Sequence, residues 1–279
     1  MLGKLLKQEF RATGRIMLPV LGALIVLAFL ASLSGSGLIN GVTDVPVLRF
    51  LMGMIEFLFG IGVVAAGVVT VVIMISRFYR NLLQDEGYLM FTLPVSVHEL
   101  VWSKLIVALV WFLVTGIVIF LVMGLLGLVL SRTNLVDLMA EFSSDWEEIW
   151  SQIVSEGLLA SFRRFFLAGA VCTLLGTVCT CLHFYAAMAM GHMFNKHKIL
   201  LSIVFFVLIS IAFSLMTTSL NMAGFSQISE NEFLYAESMA LLFNTLSRML
   251  WWLTLSELVQ AAVLYLATVL CLKRGLNLA

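Results

Sequence analysis

The chain has 279 residues, 62% hydrophobic and 11% charged, with a mean hydropathy of +1.08 and a formal net charge of zero. Soluble domains carry about 25% charged residues, so this composition excludes an ordinary soluble fold and predicts an all-α, polytopic integral membrane protein. It leaves little polar length for a separate globular domain, and nothing in the charge balance points to a nucleic-acid partner.

Residues 1–15 set Leu2, Leu5, Leu6 and Phe10 among Lys4, Lys7, Arg11 and Arg15. That is the pattern of a basic amphipathic helix suited to an anionic membrane surface. The apolar run 16–33 that follows has Pro19 in its first turn. It exceeds the roughly 7–15 residues of a signal-peptide core, so it reads as a first span. A loop rich in Gly, Ser, Asn and Asp, residues 35–46, leads to a second span near 50–75. Gly62, Ala66 and Thr70 form a small-residue stripe along it, where another helix can approach closely. Glu56 lies nearly two turns inside its outer end. A charged carboxyl at depth costs about 2.5–3.5 kcal/mol, so Glu56 is expected to face protein or water. Two readings stand: a position lining a substrate path, or a structural residue that is protonated or paired with Arg49.

Residues 77–104, RFYRNLLQDEGYLMFTLPVSVHELVWSK, are a polar island before a third span near 105–130. Arg80 to Glu86 should continue the second helix, and Gly87 can take the positive φ that ends one. Pro94 forbids simple continuation and biases Leu93 toward an extended conformation. Ser96 and Glu99 have the spacing of a capping box, in which each side chain bonds the other's backbone N–H and restarts the helix. The apolar residues between, Tyr88, Leu89, Met90, Phe91 and Leu93, are thereby held at the membrane surface. They read either as interfacial aromatics or as a docking knob for a soluble partner.

The N-terminal stretch MLGKLLKQEFRATGRIMLP together with RFYRNLLQDEGYLMFTLPVSVHELVWSKL resembles the permease subunits of bacterial type-2 ABC transporters. The likeness is closest to the small Gram-positive permeases associated with peptide or toxin export and immunity. Residues 1–20 and 77–105 carry it, and elsewhere it rests on the hydropathy layout. It implies a coupling helix within 81–92 that fits a groove on a separate ATPase subunit. Asn81, Leu82, Asp85, Glu86, Tyr88, Leu89 and Phe91 would be the docking residues. It further implies a homodimer, or a heterodimer with a related permease, moving a peptide or amphipathic substrate. ATP and Mg would be bound by the ATPase, with no cofactor in this chain.

Beyond the third span, residues 131–164 place Leu135, Leu138, Met139, Phe142, Trp146, Ile149, Trp150 and Ile153 near helical spacing, with six acids on the other face. This predicts an amphipathic helix or helix pair outside the membrane, folded back over its surface or contacting a cationic substrate. A fourth span near 165–190, the turn GHMFNKHK and a fifth span near 199–217 come next. His192 and His197 are off the i, i+4 spacing of a helical metal pair and read as loop residues. A second outer segment, 218–248, contains Glu230, Glu232 and Glu237. The last span, near 250–272, holds Glu257, a second candidate for the substrate path, and closes on Lys273 and Arg274. Cys172, Cys179, Cys181 and Cys271 all fall in apolar runs, as small packing residues rather than disulfide or metal sites.

The positive charge is segregated. Lys4, Lys7, Arg11, Arg15, Arg77, Arg80, Lys104, Lys196, Lys198, Lys273 and Arg274 fall on one side of a six-span layout, with Glu9, Asp85, Glu86 and Glu99 the acids there. By the positive-inside rule both termini are cytoplasmic, with residues 77–104 facing the cytoplasm and 131–164 and 218–248 outside, in a bacterial plasma membrane. There is no G-x-x-x-x-G-K-[ST], no H-E-x-x-H and no G-x-S-x-G, so neither a P-loop nor a familiar hydrolytic site is expected and no catalytic residue is assigned. The expectation is a transport subunit. A proton-coupled secondary transporter, using intramembrane carboxylates such as Glu56 and Glu257, and a non-transporting immunity or regulatory protein are the alternatives.

Overall fold

The computed structural model describes residues 2–35, 46–84, 95–130, 135–155, 157–194, 196–225 and 239–274. Among them are seven α-helices and no strand: α1 (Leu2–Gly35), α2 (Pro46–Leu83), α3 (Val97–Leu130), α4 (Leu135–Ser155), α5 (Leu159–Gly191), α6 (Lys198–Phe225) and α7 (Met239–Arg274). Six of them are long and apolar enough to cross a membrane, over Leu2–Leu33, Pro46–Leu83, Val97–Gly127, Leu159–Gly191, Lys198–Leu220 and Met239–Lys273. The chain is an all-α, multi-pass membrane protein. Backbone polar groups find no water in hydrocarbon, so every spanning segment closes its hydrogen bonds within its own helix. At 1.5 Å per residue, spans of this length run to roughly 35–57 Å and so exceed a bilayer core of about 30 Å.

Each expected span lies inside one of these helices, but two boundaries differ. Residues 1–15 are not a separate interface helix: α1 runs without a break through Pro19. A proline removes one backbone hydrogen bond, and the helix continues across that loss. The amphipathic pattern itself is present. Lys4, Lys7, Arg11 and Arg15 are exposed on one face of α1, while Glu9, Thr13 and Met17 are buried on the other. Helix α2 ends at Leu83, short of the expected stop at Gly87.

Two compact units make up the chain. One comprises Gly3–Met74 and Val110–Glu148; the other comprises Ile75–Leu109 and Ile149–Ala279 with Met1–Leu2. We call them the N-terminal and C-terminal units.

The N-terminal unit has an apolar core of Leu24, Ala28 and Ala31 from α1, Phe59 and Ala66 from α2, and Val122 from α3. The small-residue stripe of α2 lies against its neighbours. A Cβ on Gly62 would stand 3.2 Å from a methyl of Leu27. Ala66 is in the core, and Thr70 meets Thr115 of α3 with hydroxyl oxygens 3.1 Å apart. Because Thr70 donates its one proton to the Ala66 carbonyl, Thr115 donates to Thr70. A second cross-link joins α3 to α1, where the Trp111 indole donates to Thr13 Oγ1 at 2.8 Å.

In the C-terminal unit α5 packs against α6 and α7. The α5–α6 turn needs glycine: a Cβ on Gly191 would lie 2.6 Å from the Ser202 backbone nitrogen. Helix α4 is a single helix. On it Trp146, Ile149, Trp150 and Val154 are exposed and Ile153 is buried.

Candidate functional site

A polar seam runs inside the membrane-spanning helices of the C-terminal unit, between α5, α6 and α7. Glu257 of α7 faces Gly176 of α5, where an added Cβ would lie 3.0 Å from Oε1. The absence of a side chain there makes the room the carboxyl occupies. One turn earlier on α5, the Cys172 thiol donates to Glu257 Oε2 at 3.7 Å. One turn later, the Cys179 thiol donates to Gln260 Oε1 at 3.6 Å, and the Gln260 amide donates to the Thr217 hydroxyl of α6. Farther along the same helices Ser210 of α6 and His183 Nε2 of α5 are 3.0 Å apart. In hydrocarbon such groups associate because each removes the other's unmet hydrogen-bonding capacity. The seam joins three helices through one carboxyl, one amide, thiols and hydroxyls. That set can hold a proton or contact a polar ligand.

The helix ends on either side of residues 85–94 are fixed by two contacts within the C-terminal unit. At the end of α2, Phe78 stacks on Tyr185 of α5 with ring centroids 4.0 Å apart and planes 8° from parallel. Both rings are almost fully buried. At the start of α3 the capping box has formed: Ser96 N–H donates to Glu99 Oε2 and Glu99 N–H donates to Ser96 Oγ, each at 3.2 Å. From that first turn His98 reaches Tyr265 of α7, with Nδ1 and Oη 2.6 Å apart. The segment is therefore anchored on α5 at one end and on α7 at the other, the two helices that meet at Glu257.

The structure separates the residues that the sequence grouped. Asn81 and Leu82 are buried at the end of α2, with 4% and 0% of their surface exposed. They are packing residues of the C-terminal unit and offer no surface to a soluble partner, because the apolar face of α2 continues to Leu83. Asp85, Glu86, Tyr88, Leu89 and Phe91 lie outside the described residues, as do Glu230, Glu232 and Glu237. Glu56 is exposed on α2 in the N-terminal unit, and Glu257 is half-buried in the C-terminal unit. His192 lies in the turn after α5, as expected, but is buried there. It caps α5, is 3% exposed and meets Tyr79 of α2 edge-on at a centroid distance of 5.2 Å. Burial lowers its imidazole from the ordinary value. The hydrogen bond to the Met188 carbonyl opposes that shift, and nearby Lys198 adds to it. His197 takes a left-handed backbone, φ 56°, just before α6.

The seam was not read from the sequence, where Cys172 and Cys179 counted as inert. Its local signal is a glycine, two cysteines and a threonine at turn spacing on α5 opposite T-x-x-E-x-x-Q on α7, residues 254–260. All four cysteines are free thiols. Among the described residues no three His, Cys, Asp or Glu side chains gather as a metal site. Compared with protein-family models, curated proteins and solved structures, the chain has no match.

Proposed function

We propose that this chain is the membrane-spanning permease subunit of an ATP-driven exporter. In this reading it works as a homodimer, or as a heterodimer with a related permease, and takes energy from a separate ATPase docked at residues 77–104. In this reading both termini and that segment face the cytoplasm of a bacterial plasma membrane, an orientation that the distribution of Lys and Arg supports. The substrate class is amphipathic peptides or toxins.

The observation that carries the reading is the double anchoring of the segment between α2 and α3. A displacement there is transmitted at one end through Phe78 and Tyr185 to α5, and at the other through His98 and Tyr265 to α7. At 1.5 Å per residue, Tyr185 is about 14 Å along α5 from Gly176, and Tyr265 about 12 Å along α7 from Glu257. Rigid helices over such distances would convert motion of the segment into opening of the seam.

The test is co-purification. Tyr88→Ala combined with Phe91→Ala should leave expression and membrane insertion intact but release the ATPase. Loss of a buried aromatic anchor commonly costs about 2–4 kcal/mol, roughly 30- to 1000-fold in affinity. A variant that retains a full complement of ATPase and normal turnover overturns the docking assignment.

One observation favours a second reading. Glu257, set between helices at Gly176 and Cys172, has the placement of a coupling carboxylate in a proton-driven transporter. Transport into sealed vesicles separates the two. The exporter requires ATP and survives a protonophore, whereas the proton-driven transporter is abolished by the protonophore and indifferent to ATP.

A further inference from the structure

A second polar cluster lies apart from the seam, at the membrane edge shared by the start of α3 and the end of α7. Lys273 Nζ is 3.2 Å from His98 Nε2, and His98 Nδ1 is 2.6 Å from the Tyr265 hydroxyl. An ammonium group only donates, so Nε2 is the acceptor and the imidazole proton is on Nδ1. That proton goes to the Tyr265 oxygen, which leaves the tyrosine's own O–H free to donate outward. Lys273 retains two further N–H donors. Trp102 lies one turn along α3 from His98, its ring 5.9 Å from that of Tyr265, and it is 46% exposed.

The arrangement has donors without acceptors. Among the described residues none accepts from the Tyr265 O–H, the Trp102 indole N–H or the remaining ammonium hydrogens. The nearest acid in sequence, Glu99, is engaged by Ser96. The cluster also lies where two spans end, since Val97 opens one and Lys273 closes another. That is headgroup depth, where tryptophan and tyrosine rings are at home and where lysine adds roughly 1 kcal/mol of attraction to anionic lipid.

We infer that Lys273, Tyr265 and Trp102, with His98 bridging the first two, form a site for the phosphate group of an anionic phospholipid. The phosphate oxygens accept from the ammonium and the phenol. The tryptophan ring lies against the glycerol and upper acyl region. His98 is a positioning residue: it fixes the lysine and turns the phenol's donor outward. The same donor set would suit free phosphate, but the two aromatic rings and the depth favour the lipid. The inference depends on the multi-pass fold and not on the exporter reading.

The experiment is native mass spectrometry of the full-length protein in detergent, titrated separately with phosphatidylglycerol and phosphatidylcholine. The wild type should retain one phosphatidylglycerol more tightly than Lys273→Gln and Tyr265→Phe do. Each variant should lose about tenfold or more in affinity for it, as expected when one hydrogen bond to a charged group is removed. Tyr265→Phe keeps the ring and its packing, so its loss reports the hydroxyl alone. Phosphatidylcholine has the same phosphate but a compensating choline charge, so the wild type should bind it more weakly than phosphatidylglycerol, and Lys273→Gln should narrow that difference. Equal phosphatidylglycerol affinity in all three proteins overturns the site. Displacement of the lipid by millimolar inorganic phosphate overturns the lipid assignment in favour of a soluble phosphate.

Discussion

Glu56 of α2 and Glu257 of α7, one in each unit, both lie within membrane-spanning helices, and the two units treat them in opposite ways. In the N-terminal unit Glu56 is on the exposed side of α2, away from a core made of leucine, alanine, phenylalanine and valine. Among the described residues its helices are joined by an apolar core and by hydroxyl and indole bridges such as Thr70–Thr115 and Trp111–Thr13. In the C-terminal unit Glu257 is drawn between helices, and a glycine stands opposite to admit it. Hydrophobic burial does not drive helix association in lipid, because the acyl chains are as apolar as leucine; close packing and polar pairing do. The N-terminal unit uses mostly the first of these and the C-terminal unit both. In the C-terminal unit the packing of α5 on α7 therefore depends on the chemical state of Glu257.

The largest expected effect tests how tightly the C-terminal unit is fitted. Gly191→Ala would place a methyl 2.6 and 2.7 Å from backbone atoms of Ser202, which cannot yield as a side-chain end can. Overpacking commonly costs about 1–3 kcal/mol, and this position should reach or exceed that range. The midpoint of thermal unfolding in detergent should fall steeply. An unchanged midpoint would mean that α5 and α6 separate at no cost, and the contrast between the units would weaken.

A matched pair of glycines sharpens the comparison. Gly176→Ala sets its methyl against the Glu257 carboxyl at 3.0 Å, whereas Gly62→Ala meets the methyl ends of Leu27 and Leu24 at 3.2 and 3.5 Å. Leucine methyls move by small rotations, but a carboxyl tied to Cys172 moves only by losing that bond. Gly176→Ala should therefore destabilise the protein by about 1–3 kcal/mol and Gly62→Ala by less. Combining Gly176→Ala with Glu257→Ala should recover part of the loss, with a coupling of about 0.5–3 kcal/mol. Strict additivity in that cycle would show that the two residues do not share the seam.

What the sequence made legible follows the same division. Hydropathy located all six spans, because the bilayer demands about 20 apolar residues wherever a helix crosses. The α2 stripe Gly62, Ala66 and Thr70 was visible because small residues at turn spacing signal close approach whatever the partner. The Ser96–Glu99 box was visible because capping is a contact over three residues. The seam was not visible. Cys172 and Glu257 are 85 residues apart, and Gly176 and Glu257 are 81 apart; periodicity says which face a residue occupies, not which helix lies opposite. Asn81 and Leu82 misled for a related reason. The family resemblance made them docking residues, but the buried face of α2 runs on through them to Leu83.

The smallest effect concerns His192, buried against Tyr79 at the end of α5. Burial sets its folded pKa below the ordinary 6.5, with Lys198 pushing the same way against the Met188 hydrogen bond. Between those two values the unfolded chain holds a proton that the folded chain does not. The stability His192 contributes is therefore fully present above about pH 6.5 and is lost as pH falls through that value toward the folded one. Thermal unfolding of wild type and His192→Asn should be compared from pH 7.5 down to pH 5. The midpoint of the wild type should drop more steeply over that interval, and the difference in slope is the signature, since both proteins share every other titrating group. The absolute midpoint of the variant is not the readout, because asparagine also changes the packing on Tyr79. Parallel slopes would place His192 in contact with water. A steeper wild-type slope would make the α5 cap, beside the Phe78–Tyr185 anchor, a second place where the C-terminal unit responds to protonation.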